Sequence, residues 1–272
     1  MSGTKLSSTK KLLNIIKGKG QGLVYPELTT FSAGEAQPPS GEEQAPDGYK
    51  GLGIHALGPL SRMRRSLNLL WGTVCLKMQK GDKQMLFTGC SRYDGVSFIS
   101  FHLAMYLAME HNLKVLYVDT DVERPANVAM PFYPEGKPGL SSFVIDDTPI
   151  ESLILDTNVD GFKIMPSGAG FTSCTCSNIM TRFQQVYTLA DYAQSHFDLT
   201  IYDCKPVTFS PLVMSFAKIV NLVIMVARYA SSRREVCMQA VDRFRQNGIQ
   251  ISGMLLNDRQ YPIPRGIYNL IK

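Results

Sequence analysis

The stretch Thr88-Gly89-Cys90-Ser91-Arg92-Tyr93-Asp94-Gly95-Val96-Ser97-Phe98 sits between two patterned segments. Residues 84–88 before it read as a short apolar strand, and residues 97–111 after it carry apolar side chains at helical spacing. A strand, a loop bounded by glycines and a helix that opens with serine is the layout of a phosphate-binding loop. In such a loop the first backbone N–H groups of the helix point at an anion, and the helix dipole favours negative charge there. Gly89, Arg92, Gly95, Val96, Ser97 and Phe98 are the candidate binding positions, and the Ser97 hydroxyl stands where it would reach a magnesium ion. Position 96 departs from the pattern, because valine replaces the expected lysine. Taken alone, a strand–glycine–helix turn without that lysine is usually only a turn.

The flanking sequence changes that weighting. Short apolar runs at 115–119, 162–165, 199–203, 221–227 and 251–257 alternate with helical stretches at about 177–196 and 232–247. Upstream, Leu60, Met63, Leu67, Leu70, Trp71 and Val74 recur at spacings of three and four, the signature of an amphipathic helix. Continuous apolar strands separated by helices predict an α/β fold: a doubly wound, mostly parallel sheet in a three-layer α/β/α arrangement. Asp119 ends one strand, with Asp121 just after it, and Asp203 ends another. In an open parallel sheet the ligand crevice lies outside the carboxyl ends of the strands. These three acids are therefore expected to meet the loop, as candidate catalytic groups or, with Ser97, Asp119 and Asp203, as magnesium ligands. A strand-terminal aspartate often only caps the next loop. Three of them in register with a phosphate-type loop favour a site.

Composition sets the outer limits. The chain has 272 residues, 44% hydrophobic and 19% charged, which suits one folded domain with an additional arm. Its formal charge of +5 is mild for this length and calls for no nucleic-acid partner. Six cysteines dispersed through a long chain do not make a disulfide framework, and the Cys174-x-Cys176 pair lacks a second pair at zinc-site spacing. Residues 1–32 read as a basic arm; its first 20 residues hold five lysines and no acid. Leu12, Leu13, Ile15 and Ile16 there would line one side of a short helix able to touch a membrane surface or a partner, although a frayed, solvated arm is the favoured reading because short helices alone are marginal in water. Residues 33–53, rich in Pro, Gly and Glu, read as a disordered linker, and the folded domain is expected over 54–272. The longest strongly apolar run, 222–227, is far too short to span a bilayer, so a cytoplasmic location is expected.

In their order and spacing, the segments TGCSRYDGVSF, KVLYVDTDVERP, GLSSFVIDD, FKIMPSGAG, FDLTIYDCKPV and NLVIMVARYASSRREV, with GMLLNDRQYPIPRGIY at the end, resemble one family. It is the bacterial tyrosine kinases of capsule and exopolysaccharide synthesis, relatives of the MinD and ParA type of P-loop ATPase. The resemblance covers about residues 55–272. It implies a cytoplasmic domain at the inner face of the inner membrane, ATP and magnesium as cofactors, and an inner-membrane polysaccharide chain-length regulator as partner. It also places Gly95, Val96 and Ser97 at the Gly-Lys-Ser/Thr of the phosphate loop, and Asp119 and Asp121 at a second acidic motif. Asp203 falls at the Walker B aspartate, and Asn257 at a strand end near the adenine.

The departures bear on function. Val96 removes an ammonium group from the β- and γ-phosphates, and Asp94 adds a negative charge to the loop, which Arg92 is placed to offset. The family's Glu-x-x-Arg-x-x-Arg face, used to assemble a ring, corresponds here to Arg62, Arg65 and Asn68; the reversed sign at 62 argues against a homo-oligomeric ring. A C-terminal tyrosine cluster is missing, since the last segment carries only Tyr261 and Tyr268. The expectation is a degenerate kinase-like subunit of an exopolysaccharide synthesis and export system, acting through a partner with weak or no ATP hydrolysis. The alternatives are an active tyrosine autokinase with a non-standard phosphate loop, or a MinD- or ParA-like positioning ATPase.

Overall fold

The computed structural model describes residues 28–30, 54–122, 136–168, 183–210 and 212–258. Its first element, β1 (Leu28–Thr30), lies inside the segment read from sequence as an arm. It pairs in parallel with the edge of the last strand, Leu28 opposite Met254, and so covers backbone groups that would otherwise form an open edge. The remaining arm residues and the linker lie outside the described residues.

Helix α1 (Ile54–Cys75) follows the expected spacing. Leu60, Met63, Leu67, Leu70 and Val74 are buried, while Arg62, Arg64, Arg65 and Asn68 face outward and Trp71 is half-buried. After it come β2 (Gln84–Gly89), α2 (Val96–His111), β3 (Val115–Asp119), and the short helices α3 (Leu140–Asp146) and α4 (Ile150–Leu153). A two-residue β4 (Leu155–Asp156) precedes β5 (Phe162–Met165), α5 (Phe183–His196), β6 (Leu199–Asp203) and α6 (Leu212–Ala217). The chain continues through β7 (Leu222–Arg228), α7 (Arg234–Gln246) and β8 (Gly253–Asn257). The strands form one eight-stranded sheet in the order β1-β8-β7-β2-β6-β3-β5-β4, parallel except for the β4–β5 pair. The short helices and β4 gave no sequence signal, because segments this short contain too few turns for a period to emerge.

Every residue of β2, β3 and β6 is buried, as a strand covered on both faces requires. Alternate side chains feed two cores. Met85, Phe87, Val115 and Tyr117 pack with α1 and α2, whereas Leu86, Leu116, Val118 and Tyr202 face the layer containing Phe216 and Phe244. Helix α2 is buried on nearly all sides, from Val96 through Ala108, which explains its almost unbroken apolar sequence. The Arg64–Glu110 ion pair (2.7 Å) ties α1 to its far end.

Between β2 and β3 the chain steps over β6, and between β6 and β7 it steps back over β2. That reversal is the topological switch point at which an open α/β sheet holds its ligand. It lies at the carboxyl ends of β2 and β6, where the loop and the acids are. No helix among the described residues is long and apolar enough to cross a membrane.

Candidate functional site

The loop from Cys90 to Gly95 is held by its own backbone and by the ends of β7 and β8. Gly95 precedes α2 with φ 86° and makes no side-chain cap, so the first-turn N–H groups of α2 are not closed off by a capping residue. A Cβ at Gly95 would collide with the Asn257 amide, which donates to the Asp94 carbonyl at 2.8 Å. Both the left-handed backbone and the close approach require glycine.

Asp94 does not point into the crevice as a loose charge. It is buried, accepts from the Ser91 N–H (2.7 Å) and from the Ser232 hydroxyl (2.6 Å), and Ser232 in turn accepts from the Arg228 N–H (2.7 Å). Burial raises its carboxyl above the usual range, and these hydrogen bonds pull part of that shift back. The reading of Asp94 as a charge facing phosphate is therefore corrected: the side chain closes the loop on itself. Arg92 is exposed, with its guanidinium 4.6 Å above the Phe209 ring, and so lies along the loop after β6.

Val96 is 8% exposed and packs with the α1–α2 core, one methyl group lying against the position a Cβ of Gly89 would take. Phe98, a candidate binding position, lies tilted against the His102 ring (centroids 4.3 Å apart) and packs on the same core, so its ring serves the helix.

The acids gather at the strand ends. Asp119 and Asp203 are Cα partners in adjacent strands. Asp203 is buried, accepts from the Tyr117 hydroxyl at 2.7 Å, and is hydrogen-bonded by the Ser97 hydroxyl. Burial pushes its carboxyl up to about 6; the Ser97 and Tyr117 hydrogen bonds oppose the rise and the Asp121 charge adds to it. Tyr117 is held well above the usual phenol range by burial and by the neighbouring Asp203 and Asp119 charges. Asp119 is fully buried and accepts from the Asp121 N–H at 2.9 Å. Asp121 forms an ion pair with Lys205 at 2.7 Å.

The structure thus brings Gly89, Gly95, Ser97, Asp119, Asp121, Asp203 and Asn257 to one end of the sheet and turns Val96 and Phe98 into the core. Sequence reasoning missed Tyr117, Ser232 and Lys205. Lys205 lies two residues beyond the strand-terminal Asp203, but its partner Asp121 is far along the chain and leaves no local signal. Tyr261 and Tyr268, Cys174 and Cys176 lie outside the described residues.

One hydroxyl, one buried carboxylate that is ionised at neutral pH and a glycine-lined backbone turn form a donor set that fits a magnesium–nucleotide group. Magnesium needs only one or two carboxylates when phosphate oxygens complete its shell. What the loop lacks is a cation at 96.

The fold is a mostly parallel, P-loop NTPase-like three-layer α/β/α domain. Its homologues include bacterial tyrosine-protein kinases, at 21–31% identity. The Acinetobacter johnsonii tyrosine-protein kinase ptk is 31% identical over 168 residues, 61% of this chain and 22% of that one. The Salmonella typhi tyrosine-protein kinase wzc is 27% identical over 180 residues, 66% of this chain and 24% of the relative. The chain therefore spans about a quarter of the length of these relatives. Among solved structures, the kinase domain of Escherichia coli tyrosine kinase ETK superposes with TM-score 0.62 at 22% identity, covering 76% of this chain and 78% of that domain. No family model matches the chain.

Proposed function

We propose that this chain is a degenerate kinase-like subunit of an exopolysaccharide or capsule synthesis and export system. In this reading it binds nucleotide weakly, transfers phosphate poorly or not at all, and regulates chain length or export through a partner, an inner-membrane chain-length regulator. The single observation that carries the reading is Val96: it stands at the lysine position of the loop and its side chain is buried among core residues. An aliphatic group there offers no donor to the charge that develops in phosphoryl transfer, where electrostatic stabilisation is the main protein contribution.

A nucleotide–magnesium group would be held by the loop backbone from Gly89 to Ser97, the Ser97 hydroxyl and the Asp203 carboxylate, and when bound it supplies a phosphoryl donor. The chain's own contribution is to bind and orient it. The second reading, an active tyrosine autokinase with a rearranged clamp, is favoured by the intact Ser97–Asp203 hydrogen bond.

Calorimetric titration with MgATP tests the degenerate reading. The natural chain is expected to bind weakly, and Val96→Lys to bind about ten- to a hundredfold more tightly, the worth of one charge-assisted contact. Equal affinities would remove the basis for treating Val96 as the loss.

A further inference from the structure

We propose that Lys205 is the phosphate-binding cation of this site, replacing from the end of β6 the ammonium group that position 96 lacks. The inference rests on the reading that the loop takes a nucleotide, and it names the residue that would meet the nucleotide's phosphates.

Register places the lysine beside the loop. Phe87 of β2 and Asp203 of β6 are the last Cα partners of that strand pair, so the segment that leaves β6 runs beside the end of β2, where Gly89 opens the loop. Two hydrogen bonds fix this arrangement. The Cys204 N–H donates to the Phe87 carbonyl (2.9 Å), and the Thr88 hydroxyl donates to the Lys205 carbonyl (2.6 Å). The backbone of Lys205 is thus tied to the last residues of β2 before the loop, while its side chain ends on Asp121 at 2.7 Å.

Charge completes the case. Asp119, Asp121 and Asp203 converge here, and two of them are almost fully buried. A polyphosphate brought beside three carboxylates needs a cation from the protein; among the described residues at the loop, Arg92 lies over the Phe209 ring on the exposed side and Arg228 is paired with Asp258. The Lys205 side chain is only 15% exposed, so its attraction to phosphate is weakly screened. Four rotatable bonds let the ammonium group exchange Asp121 for a phosphate oxygen without moving the backbone.

The test compares the natural chain, Lys205→Ala and Lys205→Arg by titration with MgADP, MgATP and AMP, alongside thermal unfolding without ligand. Lys205→Ala is expected to weaken ADP and ATP binding about tenfold or more and leave AMP unchanged. Lys205→Arg should keep most of the affinity, and adding Val96→Lys to Lys205→Ala should restore it. ADP binding by Lys205→Ala equal to that of the natural chain would overturn the proposal and leave the nucleotide reading standing. A parallel loss for ADP and AMP together with a lowered Tm would also overturn it, reducing Lys205 to a structural counter-ion of Asp121. Absence of ADP binding to the natural chain and to Val96→Lys alike would overturn both the proposal and the nucleotide reading.

Discussion

A single carboxylate shows how the site works against the fold. Asp203 is buried with a folded pKa of about 6 against an ordinary value of 3.8, a raised value. A raised folded pKa means that the folded state holds the proton more tightly than the unfolded one. The stability this supplies is complete below about pH 4 and is lost as pH rises through about 6. At neutral pH the ionised carboxylate is therefore a cost to the fold, as functional groups often are. Asp203→Asn, whose amide oxygen still accepts from Tyr117, is expected to raise stability at pH 7.5 by about 2 kcal/mol and to flatten the stability profile between pH 4 and 7. Urea unfolding across that range checks both. At Gly95 the expectation has the opposite sign: Gly95→Ala forces a Cβ into a left-handed backbone and against Asn257, and should cost about 2 kcal/mol.

Among elements, the loop is the informative one, because its shape depends on partners far along the chain. Ser232 reaches Asp94 from 138 residues away and bridges it to the end of β7. Removing that hydroxyl leaves a buried carboxylate short of a donor, so Ser232→Ala should destabilise by about 1–3 kcal/mol. Because the lost donor favoured the ionised form, the loss should be larger at pH 7.5 than at pH 4.5, and denaturant melts at the two values would reveal it. The same long-range tie explains what the sequence could not convey. The strands were legible because burial on both faces leaves an apolar run that only a covered strand uses, and 115–119, 162–165 and 199–203 match β3, β5 and β6. The acids were legible because they end those runs. Asp94, however, reads as a charge among loop residues until Ser232 is seen beside it, and Lys205 reads as one lysine in a turn until Asp121 is. Neither pairing leaves a local pattern. Phe98 misled for a related reason: a position next to the loop in sequence turns its ring to the other side of the helix.

At the scale of the molecule, the sheet is centred on β2 and β6, and its site lies at their shared end. The edge is more modest. β1 contributes a three-residue parallel pairing to β8. Deleting residues 1–48 should therefore leave the α/β domain folded with a loss of about 1–3 kcal/mol, the worth of a few edge hydrogen bonds. A larger loss in thermal unfolding would show that the segment does more than cover an edge.

Phosphotyrosine on the purified, unmodified chain after incubation with MgATP is the deciding measurement. With Val96 in place of the loop lysine, the expected result is a signal no greater than that of Asp203→Ala under the same conditions. Robust magnesium-dependent phosphotyrosine on the natural chain, abolished by Asp203→Ala, would contradict the degenerate reading and establish a working kinase.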